Sequence, residues 1–193
     1  MARRRVVLTG GPGAGKTAVL ELARRHMSHH LDVLQESASI LFGGGFPREP
    51  QPFARACAQR AIYHIQDELE CIALAAPSEK MILCDRGTID GLAYWPGAPE
   101  QFFSDVRSSL EAELARYDAV IHLRTPTKMN GYRKVALRIE DVLEAGAIDE
   151  RLLDVWVKHP RRYVIESTVD FFEKARRAIA ILHQLLPEEA ART

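Results

Sequence analysis

No apolar run in this sequence approaches the roughly 20 residues that a bilayer crossing needs, so no membrane span is expected. Net charge is also missing. Lys plus Arg and Asp plus Glu each number 26, and the formal charge is zero with His neutral. A nucleic-acid-binding domain usually shows a basic stripe, whereas here the one dense basic run, Arg3-Arg4-Arg5, reads as the solvated start of a strand. No nucleic-acid partner is expected. Nor is that run the head of a signal peptide, because the apolar segment behind it is short and ends in glycines. Cysteine is scarce: Cys57, Cys71 and Cys84 are odd in number and lack metal-ligand spacing. That argues against a disulfide framework or zinc ribbon and for reduced thiols in apolar surroundings of a cytoplasmic protein. The pair His29-His30 reads as surface, since neighbours on a helix point apart. Repeats and low-complexity segments are absent, and 193 residues suit one domain, 1–193, with a sizeable core.

What is present is concentrated in "RRRVVLTGGPGAGKTAVLELA", residues 3–23. An apolar run stops at a cluster of glycines, then a helical pattern starts behind a lysine and a threonine. Gly10, Gly15, Lys16 and Thr17 fit G-x-x-x-x-G-K-[ST], and the motif has its required context of strand before and helix after. Glycines let successive N–H groups turn toward phosphate oxygens, and the following helix presents its positive end. Gly11, Pro12, Gly13, Ala14, Gly15, Lys16, Thr17 and Ala18 are therefore the expected nucleotide-binding residues. Lys16 would reach the β- and γ-phosphates, and the Thr17 hydroxyl would serve Mg²⁺.

Short apolar runs at Val6–Thr9, Leu31–Gln35, Met81–Cys84, Ala119–Leu123 and Tyr163–Ile165 read as strands covered on both faces. Helical patterns alternate with them: one from near Gly15, one from about Phe53 to Ala76, one from about Gln101 to Tyr117, and a last one starting at Ser167 with Asp170 in its first turn. In the long helix, Ile62, Ile65, Leu69, Ile72 and Ala76 form the stripe expected to pack on the sheet, and in the last helix Ala175, Ile179, Leu182 and Leu185 face inward. Strands alternating with helices imply a parallel sheet with right-handed crossovers. Residues 42–52, "FGGGFPREPQP", read as a mobile loop, and about 124–160 is long for one connection and reads as a subdomain over the site.

"KMILCDRGTIDGLAYW" delivers Asp85 and Arg86 to the carboxyl end of the third strand, the end where ligands sit in open α/β sheets. Asp85 could hold Mg²⁺ directly or through water, and Arg86 could clamp a phosphoryl group as its charge develops. A Ras-like GTPase would carry D-x-x-G at this place and an N-K-x-D base reader; neither is found. A ring-forming motor would usually pair Asp with Glu where Arg86 stands. Asp-Arg after a strand looks like the nucleoside and nucleotide kinases.

Through "VVLTGGPGAGKTAVLELA", "LQESAS", "RAIYHIQDELE", "ILCDRGTIDGLAYW", "LRIEDVLEAGAIDERLLDVWVKHP" and "FFEKARRAI" the chain resembles the P-loop domains similar to the nicotinamide riboside kinase domain of NadR proteins. The resemblance implies an α/β, three-layer P-loop NTPase fold: a five-stranded parallel sheet, helices on both faces, and a helical lid between the fourth and fifth strands. It also implies ATP as nucleotide, with GTP left open, and Mg²⁺. In kinases of this type a carboxylate after the second strand accepts the proton of an attacking hydroxyl, and Glu36 looks like it; a structural carboxylate at the strand end is the other reading. The implied lid carries Lys128, Arg133, Lys134 and Arg138, with Arg138 the first choice for a catalytic lid arginine. Tyr63 and Gln66 read either as lining of an acceptor pocket or as packing, and Tyr94 and Trp95 as its closure or as core. Two functions stay open: transfer of the γ-phosphoryl of ATP to an unidentified small, nucleoside- or nucleotide-like acceptor, or a regulatory protein that hydrolyses slowly. Monomer and homodimer are both compatible with the sequence.

Overall fold

The computed structural model describes residues 3–126, 142–167 and 170–187. Five strands, β1 (Arg5–Thr9), β2 (Leu31–Leu34), β3 (Met81–Asp85), β4 (Ala119–Leu123) and β5 (Arg162–Ile165), form one sheet in the order β2-β3-β1-β4-β5. Every pairing is parallel. The helices are α1 (Lys16–His26), α2 (Ser37–Gly43), α3 (Pro52–Ala75), α4 (Pro99–Val106), α5 (Leu110–Ala115), α6 (Val142–Val155) and α7 (Phe171–Leu185), with a 3₁₀ helix at Thr88–Tyr94. The α/β sheet with helices on both faces is the fold expected from the strand–helix alternation.

Alternation along each strand divides the core in two. Val6 and Leu8, with Leu83, Ile121 and Leu123, pack against Val19, Leu20 and Ala23 of α1 and Ala175, Ala178, Leu182 and Leu185 of α7. Val7, Ile82, Cys84 and Val120 point to the other face, against Ala73 of α3, Ile89, Tyr117 and Trp156. Thus α1 and α7 cover one face, and α3 with the 3₁₀ helix covers the other. A smaller cluster of Tyr63, Trp95, Phe102 and Val106 fills the space between α3 and α4.

Several sequence expectations shift. The stripe Ile62, Ile65, Leu69, Ile72 and Ala76 is not the sheet-facing side of α3: Ile72 is 68% exposed, and the buried residues are Ala58, Tyr63, Gln66, Glu70 and Ala73. The periodicity is right and its phase is wrong, because a polar network claims the inner face. Glu70, fully buried, accepts from Arg5 Nη1 (3.1 Å), Arg116 Nη2 (3.0 Å), Tyr117 Oη (2.7 Å) and Gln66 Nε2 (3.0 Å). Second, the span from Gln101 to Tyr117 is two helices, broken where Arg107 turns left-handed at φ 56°. Third, α7 is capped by Asp170, whose side chain accepts from Phe172 N, so the helix starts after Ser167 rather than at it. Fourth, α2 reaches Gly43, so the loop expected at 42–52 begins at Gly44, and Cys71 is exposed rather than packed. Lys128, Arg133, Lys134 and Arg138 lie outside the described residues.

The phase of α3 predicts opposite outcomes at neighbouring positions. Glu70→Ala takes the buried carboxylate from Arg5, Arg116, Tyr117 and Gln66 together, leaving Arg116 its pairs with Asp67 and Glu113, and should cost about 3 kcal/mol or more. Ile72→Ser, on the exposed side, should stay within about 0.5 kcal/mol. Denaturant melts of both variants measure this; a larger loss at Ile72 than at Glu70 would reverse the assignment of faces.

Candidate phosphate-binding and transfer site

The central position of β1 puts both candidate segments at one edge. Register pairs Leu8 with Asp85 and Thr9 with His122, so the chain leaving β1 runs between the carboxyl ends of β3 and β4. Gly10 has φ 141°, and an added Cβ would stand 2.1 Å from Leu123 O, so only glycine passes there. The turn ends at Gly15 (φ 93°), which precedes α1 without a side-chain cap. Free N–H groups at the start of a helix are anion donors. Lys16 is buried and folds back on the loop, donating to Gly10 O (2.7 Å) and Gly11 O (3.4 Å). Burial, then the neighbouring Arg86, pulls its pKa down to about 7. Thr17 and Ala18 are exposed at the first turn of α1.

Asp85 closes β3, and its Oδ1 is buried with no partner among the described residues. Burial and the nearby Glu36 raise its pKa to about 6. An unsatisfied carboxylate oxygen beside a phosphate loop fits a hydrated Mg²⁺, and Thr17 offers a hydroxyl on the loop side. Among the described residues no group of three His, Cys, Asp or Glu is placed to hold a metal ion by itself. A cation here would therefore draw most of its ligands from phosphates and water.

Arg86 takes the left-handed conformation at φ 76°, with its N–H bonded to Leu8 O (3.1 Å). The turn aims the guanidinium across the edge of the sheet. Arg86 Nε donates to Glu36 Oε1 (2.7 Å), Nη1 to Asp90 Oδ2 (3.3 Å) and Nη2 to Tyr94 Oη (3.4 Å). Glu36 precedes α2 and also accepts from Ser39 Oγ (2.6 Å). Burial alone would raise the Glu36 pKa, but the Arg86 charge and these hydrogen bonds outweigh it and hold the carboxyl near 2. Lys16, Glu36, Asp85 and Arg86, named from sequence, thus gather at one place.

Gln66 and Tyr63 go elsewhere: Gln66 accepts from Ser37 Oγ (2.7 Å), and Tyr63 Oη donates to Glu113 Oε1 (2.6 Å). Both are packing residues of the buried network. Trp95 is core, packed edge-on against Phe102. Tyr94 touches the site through Arg86. Sequence reasoning missed Asp90, which is buried and accepts from Thr9 Oγ1 (2.5 Å) and from Trp156 Nε1 (2.7 Å) besides Arg86. It stands four residues beyond Arg86 in the same segment, one helical turn away, and that spacing was the available signal. Trp156 lies at the end of the segment that carries α6, in which Ala93 meets Ile148 and Leu152.

The Glu36 value fixes the sign of an acid effect. Its folded pKa of about 2 lies below the ordinary 4.5, so its stabilisation is present above pH 4.5 and is lost as pH falls toward 2. Over that window it adds up to ~1.4 kcal/mol per pH unit to the slope of stability. Glu36→Gln should flatten the acid limb, measured by denaturant melts between those limits; an unchanged slope would show that the pair with Arg86 does not form in solution.

With this geometry the comparisons with known proteins agree in fold. The structure of deoxyadenosine kinase from M. mycoides with bound dATP matches at a TM-score of 0.64 and 12% identity, over 93% of this chain and 99% of that one. NadR protein in complex with NAD and AMP-PNP matches at a TM-score of 0.64 and 14% identity, over 94% of this chain and 49% of NadR, so the chain spans about half of that protein. No curated protein sequence matches. The family model described as an AAA domain matches residues 5–174, from the start of β1 into α7. The chain belongs to that AAA domain family and has a P-loop, kinase-like fold of the NadR type.

Proposed function

We propose that this protein binds ATP with Mg²⁺ and transfers the γ-phosphoryl to the hydroxyl of a small nucleoside- or nucleotide-like acceptor. The observation that carries the reading is the buried Asp85 Oδ1, without a partner among the described residues, in the same charge cluster as Lys16, Glu36 and Arg86. The dATP and AMP-PNP bound to the two structural relatives support an adenine nucleotide. Within residues 11–18, backbone N–H groups beyond Pro12 and the Lys16 ammonium would hold the distal phosphates. Thr17 and Asp85 would hold Mg²⁺, which supplies charge neutralisation at the phosphates.

In the transfer the acceptor oxygen forms its bond to Pγ as the bridging oxygen leaves with ADP, and the hydroxyl proton passes to Glu36. A carboxylate held near pKa 2 is a weak base. That suits a loose transition state, in which little bonding to the nucleophile has formed and the proton departs late. Arg86 both orients Glu36 and stands next to the developing charge. Arg138 belongs to this reading only as the sequence-derived lid arginine, outside the described residues.

Incubation with γ-labelled ATP, Mg²⁺ and a panel of nucleosides, nucleotides and sugars tests the reading by the appearance of a labelled product. Lys16→Ala should lower triphosphate affinity at least about tenfold, the loss of one charge-assisted contact. Glu36→Gln should lower kcat about a hundredfold with little change in ATP affinity. ATP hydrolysis with no labelled acceptor would instead match a nucleotide-dependent regulatory protein. Unchanged affinity in the Lys16 variant would remove the nucleotide site altogether.

A further inference from the structure

The phosphate loop is held from behind by a residue far along the chain. Asp149, on α6, is 1% exposed. Its Oδ1 accepts from Gly11 N (2.9 Å) and from His122 Nε2 (2.9 Å), and its Oδ2 accepts from Thr125 N (3.1 Å) and forms an ion pair with Arg124, whose Nε is 3.2 Å away. The carboxylate accepts only, so His122 carries its proton on Nε2. Three separate stretches therefore meet at one side chain: the turn after β1, the end of β4 with the residues following it, and α6. The fit leaves no slack. A Cβ on Gly11 would stand 2.5 Å from Thr125 Oγ1 and 2.9 Å from Asp149 Cβ, and Thr125 Oγ1 in turn donates to Pro12 O (3.3 Å).

We propose that Asp149 is a positioning residue that presets the phosphate loop for its ligand by fixing the Gly11 amide to the end of β4. This rests on the reading of residues 11–18 as a triphosphate site. A loop whose amides already point one way loses little freedom on binding, and that preorganisation appears as affinity. The geometry gives this claim a sign. A carboxylate behind a triphosphate site repels the ligand, so on charge alone its neutralisation should tighten binding. If Asp149 acts through position, the same change weakens binding, because an Asn amide at the Oδ2 place would face the Thr125 N–H donor and the cationic Arg124 guanidinium. Asp149→Glu separates the two effects further, since it keeps the charge and moves the carboxylate by one methylene.

The test measures MgATP affinity by calorimetry and backbone amide exchange in the nucleotide-free protein, for the wild type, Asp149→Asn and Asp149→Glu. Thermal melts establish that each variant is folded, and if the Asn form is not, the Glu form carries the test. The expected result is an affinity at least about tenfold weaker in each folded variant, the scale of a lost buried hydrogen bond to a charged acceptor. Amide exchange should rise by a similar factor at Gly11, Gly13 and Ala14, with β1 and α7 unchanged. Affinity equal to or tighter than wild type, with exchange unaltered at the loop, overturns the proposal. A wild type that binds no MgATP would defeat the triphosphate reading, while the exchange measurement would still decide whether Asp149 fixes the loop.

Discussion

Parallel pairing of β1 with β3 on one side and β4 on the other is the constraint from which the site follows. The three strands lie in the middle of the sheet and end at the same edge, so the chain leaving β1 must turn between Asp85 and His122. A turn in that slot meets the Leu123 carbonyl at 2.1 Å from any Cβ on Gly10, which is why bare backbone is required there. Glycine thus serves passage first, and the exposed N–H groups are a consequence. Burial of β1, with Val6, Val7 and Leu8 fully enclosed, keeps the slot rigid.

Charge is then crowded into this edge. Lys16 and Arg86 face Glu36, Asp85 and Asp90 in surroundings where desolvation dominates, and the consequences are opposite for different members. Lys16 and Asp85 are pushed toward their neutral forms, while Glu36, paired with Arg86, is pinned as an anion. A ligand carrying both phosphates and a divalent cation would restore the ionised forms of Lys16 and Asp85 together. Arg86 is steadied by Asp90, which Thr9 and Trp156 hold in turn, so strand, 3₁₀ helix and the end of α6 all bear on one guanidinium.

Much of this was legible in the sequence, and the exceptions have physical causes. Strand positions were readable because residues buried on both faces must be apolar throughout, and the loop because its glycines, lysine and threonine have fixed spacing. The face of α3 was misread because hydrophobic periodicity assumes an apolar partner, whereas Glu70 and Gln66 are buried by cations and hydroxyls from Arg5 of β1, Ser37 of α2, Arg116 just past α5 and Tyr117. The break at Arg107 is a backbone event with no glycine to announce it. Asp90 and Asp149 were passed over for a common reason. Each is held by a partner far away in the chain, Trp156 for one and Gly11 for the other, and those long-range contacts have no local pattern, although the spacing of Asp90 from Arg86 did offer a local signal.

The central claim is that one metal-bound triphosphate lies between the phosphate loop and the end of β3. Titration of the isotope-labelled protein with ATP and Mn²⁺, followed by paramagnetic broadening of backbone amide signals, tests it most directly. Broadening should appear only with both ligands present and be strongest at Lys16, Thr17 and Asp85, leaving α3 and the far ends of the strands sharp. Broadening centred elsewhere, or unaffected by omission of ATP, would contradict the account.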